Sequence, residues 1–348
     1  MIARPGRMTP MECAAVILAA GRSTRFGSAK HEIRLGGRTM LEMVAGIAAE
    51  SGLRPLIAVV GAGLPVPSGI LPVENPDPDR GLSHSLRLGL AAVPPDSDGA
   101  VVLLGDQPTL EARAVRAVLE AGAAHRSVVA AEAEGILAPP VLLPREHFDL
   151  ADRTSGDAGL RAVLAGDLWS VATVAVGAHP IDIDTPADLD RVAPPCPGCD
   201  ARVPAAAGTP THPYIGASPG CWIRWSELLA TTGIGGLGRH ANDAYAVQHP
   251  GVDGRRERQS VAIHLIALCH WLEHDIADPH LTELTRAALA GSPEWPWLEP
   301  PAGYPMNVHD LPVPASQEEG RRWAESVWQA WAGHHAQVRR WAAAVLGP

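Results

Sequence analysis

Short apolar runs alternate with amphipathic segments over the first half of the chain. Ala14–Leu18, Leu56–Val60, Ile70–Val73, Ala100–Leu104, Ser127–Ala131 and Val141–Leu143 are nearly continuous in apolar residues, the pattern of strands buried on both faces. Between them Met40–Ser51, Leu82–Ala92, Leu110–Ala123 and Ala158–Ala165 space their apolar positions as one face of a helix does. The alternation predicts the α/β class, a Rossmann-like domain with a mostly parallel sheet and helices on both faces. Ligands bind such sheets beyond the carboxyl ends of the strands. Two polar segments that follow strands, residues 20–30 and 105–108, fall on that edge.

Helical periodicity dominates the second half. "CWIRWSELLATT" (221–232) and "QSVAIHLIALCHWLEHD" (259–275) read as amphipathic helices. The second carries a Val261, Leu265, Leu268 and Leu272 stripe with His264 at its edge. "SQEEGRRWAESVWQAWAGHHAQVRRWAAAVL" opens on Ser316 and Glu319 as a capping box. Its Trp323, Val327, Ala330, His334, Val338, Trp341 and Val345 then recur at spacings of three and four. Residues 194–213 are rich in Pro and Ala and have no period, as a linker would. The expected organisation is a disordered segment 1–11, an α/β domain 12–193, a linker 194–213 and a mainly helical domain 214–348. Tryptophan supports the division: of ten, only Trp169 precedes residue 220.

At 348 residues the length suits two domains, and the net charge of −10 argues against a nucleic-acid surface, so an anion site must be local. No apolar stretch approaches the roughly 20 residues of a membrane helix. Arg4 and Arg7 ahead of "CAAVILAAG" imitate a signal peptide, but a first strand explains the run better, and a cytoplasmic location is expected.

The loop "LAAGRSTRFGSAK" (18–30) combines Gly21 and Gly27, where backbone can approach a ligand closely, with Arg22, Arg25 and Lys30. That combination suits a polyphosphate. The P-loop spacing and the dinucleotide fingerprint are both absent. The plainer reading of the charges is a solvated loop. Against it, "VVLLGDQPTL" delivers Asp106 off a buried strand, where an unpaired carboxylate is costly. Mg²⁺ favours one or two carboxylates together with phosphate oxygens. Thr109 is the expected N-cap of the helix that follows. "IDIDTPADL" adds Asp182 and Asp184 ahead of a helix with Pro186 in its first turn; one is read as a metal ligand, the other as a cap or structural acceptor.

With these residues in view, residues 12–193 resemble the MobA-like nucleotidyltransferases, most of all the molybdenum cofactor cytidylyltransferases. The resemblance rests on "LAAGRSTRFGSAK", "GLSHSLRLGL" (81–90), "LLGDQP" (103–108), "SGDAGLRAVL" (155–164) and "DIDTPADL" (182–189), in the family's order. It implies that Leu18, Ala19, Ala20, Gly21, Arg22 and Gly27 cradle the nucleotide, with Arg25 on the β- and γ-phosphates and Lys30 on the α-phosphate. It implies Mg²⁺ on Asp106 with Asp182 or Asp184, and Gly81, Ser83 and Ser85 near base and ribose. Gly156, Asp157 and Gly159 are then expected near the acceptor. Ala20 stands where the family's CTP users carry Ala, so CTP is the expected donor and a phosphorylated small molecule of molybdopterin type the expected acceptor. A molybdoenzyme or its maturation factor is the protein partner implied. The polar His31 and Glu32 depart from the family's apolar pattern and bear on acceptor identity. The rival readings are the same chemistry on a sugar phosphate and a cofactor carrier or insertion factor without turnover.

"CPGC" (196–199) has the spacing of half a zinc site. Cys196 and Cys199 would need two further ligands from Cys221, His212, His240, His249 and His264; Cys221 and His249 are the favoured pair. A metal-free turn and a redox pair are the alternatives. His270 and His274, at i and i+4, either share a metal or are unrelated to one. Asp243, Gln248 and His249 form a polar cluster readable as a second active site or as a satisfied turn. From Cys196 onward the chain resembles an uncharacterised bacterial family marked by "CPGC", "YIGASPGCW" and "DAYAVQHPG", which implies no activity.

Overall fold

The computed structural model describes residues 11–21, 26, 30–153, 155–156, 160, 164, 171–204, 208, 211–274 and 294–346. The chain divides into two compact units, Met1–Arg34 with Arg38–Val192, and Leu35–Gly37 with Ala193–Pro348.

The first unit is a seven-stranded sheet. Its strands are β1 (Cys13–Ala19), β4 (Leu56–Gly61), β5 (Leu71–Asn75), β6 (Gly99–Leu104), β7 (Val129–Ala133), β8 (Ile136–Pro144) and β9 (Ala172–Ala175); a small hairpin, β2 (Arg34–Leu35) and β3 (Arg38–Thr39), lies apart. The spatial order is β5-β4-β1-β6-β8-β7-β9. β8 alone runs against its neighbours; every other pairing is parallel. It does so because Glu134 and Gly135, both at positive φ, join β7 to β8 in a two-residue hairpin.

Alternation along β1 explains the layers. Ala14, Val16 and Leu18 pack with Leu86 and Leu90 of α2 (Leu82–Ala91). Cys13, Ala15 and Ile17 pack on the other face with Val44 and Ala48 of α1 (Met40–Glu50) and Val115 and Val118 of α3 (Ala112–His125). α2 lies close to the sheet, since a Cβ on Gly89 would stand 2.4 Å from Val16 Cγ1 and 2.9 Å from Val59 Cγ2.

Two local expectations are corrected. α3 begins at Ala112, not Leu110, and Thr109 does not cap it; its hydroxyl accepts the Ile181 amide instead, at 2.8 Å. β9 went unread because Ala172–Ala175 is half-exposed and short in large apolar residues. The helix expected over 158–165 lies outside the described residues, apart from the buried Leu160 and Leu164.

After α4 (Pro186–Val192) the second unit packs helices α5 (Pro219–Leu237), α6 (Arg239–Gln248), α7 (Arg255–His274), α8 (Gln317–Ala330) and α9 (His335–Leu346) around Trp225, Tyr245, Trp323 and Trp331. The Ser316 and Glu319 capping box opens α8 as expected. The apolar stripe beyond it is not one helix: a 3₁₀ turn, Ala332–His334, separates α8 from α9. Gly333 is a poor helix former there, and the break buries Trp331 in place of His334. No helix of the described residues is long and apolar enough to cross a membrane.

Candidate functional sites

β1 and β6 lie side by side and release their chains at the same edge, Gly105 N bonding Leu18 O at 2.9 Å. Beyond that edge lies a cavity of about 860 Å³. Its wall includes Leu18, Ala19, Ala20 and Gly21 from the end of β1, Gly81 and Ser85 from the start of α2, and Lys30, Asp106, Asp182 and Asp184. Lys30 Nζ stands 3.0 Å from Asp106 Oδ2 and 3.4 Å from Asp184 Oδ1.

The two acid-bearing segments are held in fixed register. Ile183 N donates to Asp106 O at 3.1 Å, Ile181 N to Thr109 Oγ1 at 2.8 Å, and Gln107 Nε2 to Asp182 Oδ1 at 2.8 Å. Asp182 is thus engaged by Gln107, while Asp184 turns with Asp106 toward the lysine. Burial raises the Asp182 pKa, with the Gln107 bond working against that shift and the charges of Asp106 and Asp184 adding to it. Asp188 anchors the turn after Asp184 by accepting from the Thr185 hydroxyl at 2.7 Å and the Thr185 amide at 3.0 Å. The donor set, carboxylate oxygens at the wall of an open cavity, fits a hard divalent cation.

The remaining predicted residues scatter. Ser85 Oγ accepts from Asn75 Nδ2 at 2.9 Å, so its hydroxyl is fixed from the end of β5. Ser83 is buried, has no hydrogen-bond partner among the described residues and is not part of the cavity wall. Gly156 is exposed and apart from that wall. Arg22, Arg25, Gly27, Asp157 and Gly159 lie outside the described residues. Sequence reasoning passed over Gln107 and Asn75. Gln107 stood inside the quoted "GDQP", and its burial beside an acid was the available signal; Asn75 carried none.

In the second unit Cys196, Cys199, Cys221 and His249 converge, buried, with their ligand atoms all within 4.8 Å of one another. Ser218 caps α5 and brings Cys221 inward from its first turn, and its own amide donates to Cys196 Sγ at 3.2 Å. His249 follows the last turn of α6. Its Nδ1 lies 2.8 Å from Tyr245 O, which fixes the tautomer with hydrogen on Nδ1 and turns the lone pair of Nε2, otherwise unpartnered, to the cluster. Gly198 makes the approach possible: a Cβ there would be 2.7 Å from His249 Cα. The Cys199 and Cys221 sulfurs are 3.6 Å apart, against about 3.8 Å for tetrahedral bonds of about 2.3 Å to zinc. Hydrogen bonds from Cys199 and Cys221 hold the Cys196 thiol well below its ordinary pKa, while those two thiols are pushed up, Cys221 to about 12, by their bonds to Cys196. Three buried sulfurs and an imidazole nitrogen within reach of one another form a donor set that suits a soft or borderline cation. His309 Nε2 lies 3.4 Å from Cys221 Sγ, a neighbour that the sequence did not mark.

Of the other candidates, His264 bonds Asp243 Oδ1 at 2.6 Å, and His240 stacks on Trp271 with centroids 3.7 Å apart. His212 packs edge-on against Tyr214. Gln248 is satisfied within the core by Met306 O and Trp323 Nε1, so its part of the polar cluster is structural. The His270 and His274 rings are 5.9 Å apart.

A mostly parallel sheet with helices on both faces, and with a lysine and acids gathered beyond the ends of its strands, is an α/β architecture with its candidate site where such folds bind ligands. Residues 15–174 match the family model described as the MobA-like NTP transferase domain. Residues 194–332 match a family of unknown function (DUF5946). Purine catabolism protein PucB of Bacillus subtilis (strain 168) is 28% identical over 198 residues, covering 51% of this chain and 94% of that protein. Bifunctional protein GlmU of Maricaulis maris (strain MCS10) is 31% identical over 145 residues, covering 39% of this chain and 32% of GlmU. The chain thus spans about a third of that relative's length. The crystal structure of Rv0371c from Mycobacterium tuberculosis H37Rv aligns at 28% identity and a TM-score of 0.46, covering 52% of this chain and 97% of that one.

Proposed function

We propose that the chain transfers CMP from CTP to a phosphorylated small molecule, a molybdopterin-type cofactor, with release of pyrophosphate. The observation that carries this reading is Lys30 set between Asp106 and Asp184 at the wall of a cavity that also meets the end of β1. Asp106 and Asp184 would hold Mg²⁺, which supplies charge neutralisation at the phosphates when bound. Lys30 would stabilise negative charge growing on the α-phosphate. An acceptor phosphate is already anionic at neutral pH, so its oxygen attacks the α-phosphorus without a general base while the bond to the bridging oxygen breaks and pyrophosphate leaves. Ala20, buried and in the wall, narrows the base subsite against a purine, an effect worth about 1–3 kcal/mol. The acceptor rests on the five sequence blocks. The five cysteines described are free and buried, which suits the reducing cytoplasm.

Incubation of the full chain with Mg²⁺, CTP or GTP and a panel of phosphorylated acceptors, following pyrophosphate, tests the assignment. Release with CTP and the molybdopterin acceptor is expected. Release with a sugar phosphate alone reassigns the acceptor, preference for GTP reassigns the base, and stoichiometric binding without release makes the chain a carrier.

For the second unit we propose a structural zinc on Cys196, Cys199, Cys221 and His249. All four positions are taken by protein, as in structural rather than catalytic sites. Metal analysis of the purified full chain is expected to find stoichiometric zinc; its absence after growth in zinc-replete medium overturns the assignment.

A further inference from the structure

Zinc on Cys196, Cys199, Cys221 and His249 would meet three thiolates and one neutral imidazole, because its ligands bind deprotonated. Such a set carries one negative charge more than the ion cancels. All four residues are buried, and a buried charge is costly unless hydrogen bonds spread it. A metal-bound thiolate has no proton to give, so its sulfur can only accept. Two nitrogens approach these sulfurs: the Ser218 amide, 3.2 Å from Cys196 Sγ, and His309 Nε2, 3.4 Å from Cys221 Sγ. The amide is a donor by nature. The imidazole is a donor at whichever nitrogen carries the hydrogen, and the group each nitrogen faces decides which that is.

His309 does not complete the shell of the ion. Its nitrogens are outside the group of ligand atoms that all lie within 4.8 Å of one another, so the ring meets one ligand rather than the metal. It also comes from an element that supplies no ligand, the short 3₁₀ turn Val308–Asp310. That turn is fixed by its own bonds. The His309 amide donates to Asn307 Oδ1 at 2.9 Å, and the Asn307 amide donates to Asp310 Oδ2 at 2.8 Å. The ring itself is buried, so no water competes freely for the contact with Cys221.

We propose that His309 is a positioning residue of the metal centre: its Nε2–H donates to the Cys221 thiolate, offsets part of the excess charge and shields that sulfur from electrophiles. The proposal rests on the zinc reading above and adds to it a defined tautomer and a defined reactivity. The shielding follows because a thiolate attacks electrophiles through its sulfur lone pairs, and a hydrogen bond withdraws one of them. Partners that bond a metal ligand from outside the shell commonly hold both the ligand's orientation and the affinity for the ion.

The experiment is long-range ¹H–¹⁵N correlation spectroscopy of the zinc-loaded full chain, with the His309 ring signals identified by their loss in His309→Phe. The hydrogen is expected on Nε2, and after exchange of zinc for ¹¹³Cd its signal is expected to couple to the metal through sulfur. In the same chain, zinc release by N-ethylmaleimide in the presence of a chromogenic chelator is timed. His309→Phe is expected to speed release about tenfold and to weaken zinc binding about 10–100-fold. His309→Gln, whose amide nitrogen can take the place of Nε2, is expected to restore most of the protection, which a merely space-filling role would not produce. A hydrogen on Nδ1 in zinc-loaded wild type, or equal release from wild type and His309→Phe, overturns the proposal and leaves the zinc reading standing. The tautomer is read on wild type, so it holds even where a variant fails to fold. Wild type without stoichiometric zinc overturns both.

Discussion

Gln107 Nε2 reaches Asp182 Oδ1 across 2.8 Å, although the two residues are 75 positions apart and neither lies in a helix or strand. Burial raises the pKa of this acid, and the amide bond works against that shift. Gln107→Leu is expected to weaken the Mg²⁺ dependence of turnover about 10–100-fold, the usual cost of removing a group that orients a metal site. Gln107→Glu should be worse, with two acids opposed. Pyrophosphate release against Mg²⁺ concentration checks both; an unaltered midpoint would mean that Asp182 has no part in the site.

The acids are not equivalent. Asp106→Asn and Asp184→Asn are each expected to lower turnover by about 10²–10³-fold, the scale of a lost electrostatic contact at the reacting phosphate. Asp182→Asn should cost less, because its carboxylate points to Gln107. Steady-state rates for the three variants decide it, and equal losses would contradict the division of labour.

Gly198 is the sharpest probe of the cysteine cluster. Gly198→Ala places a methyl against the His249 backbone and is expected to cost most of the bound zinc. Cys199→Ser should do the same, and both should lower the thermal midpoint of the helical unit, because binding free energy of a structural ion is folding free energy. Metal content and calorimetry of the full chain report the outcome.

The contact under α2 bears on stability alone. Gly89→Val drives side-chain atoms into Val16 and Val59 and is expected to destabilise the first unit by about 1–3 kcal/mol, read from the urea midpoint.

His270 gives a dependence on pH. It is fully buried, neither ring nitrogen has a partner among the described residues, and burial lowers its pKa, with the charge of His274 second. The unfolded chain then binds the extra proton first, near the ordinary value of 6.5. Stability is full above that pH and falls as pH drops below it, by at most about 1.4 kcal/mol per pH unit. His270→Leu should flatten this acid limb in urea titrations; an unchanged limb would assign it to other groups.

The sheet was legible because β1, β4, β6, β7 and β8 each contain a nearly continuous apolar run that is buried, whereas β5 was marked by Ile70–Val73 although most of it is exposed. β9 was not, since half of its small residues face solvent and its pairing with β7 is set by tertiary contacts. The break between α8 and α9 was hidden for a related reason. The three-and-four spacing continues through it, and only the packing of Trp331 decides which residue turns inward. Lys30, Asp106 and Asp184 were marked by chemistry that does not belong in a core. Which of Asp182 and Asp184 meets the lysine could not be read, because it depends on the backbone register between two loops. The cysteine and histidine cluster posed the same difficulty: the "CPGC" spacing advertised two of its members, while Cys221 and His249 had to be chosen among several candidates that a helical fold distributes in space.

That register has a consequence for synthesis. Asp106 and Asp184 lie 76 and 154 residues beyond Lys30. A nascent chain that has emerged through β6 already has its central parallel strands and the lysine, but not the segment that brings the second acid. Any fragment that stops short of residue 184 lacks the second carboxylate at Lys30, so a truncated product would carry the lysine with one partner acid in place of two.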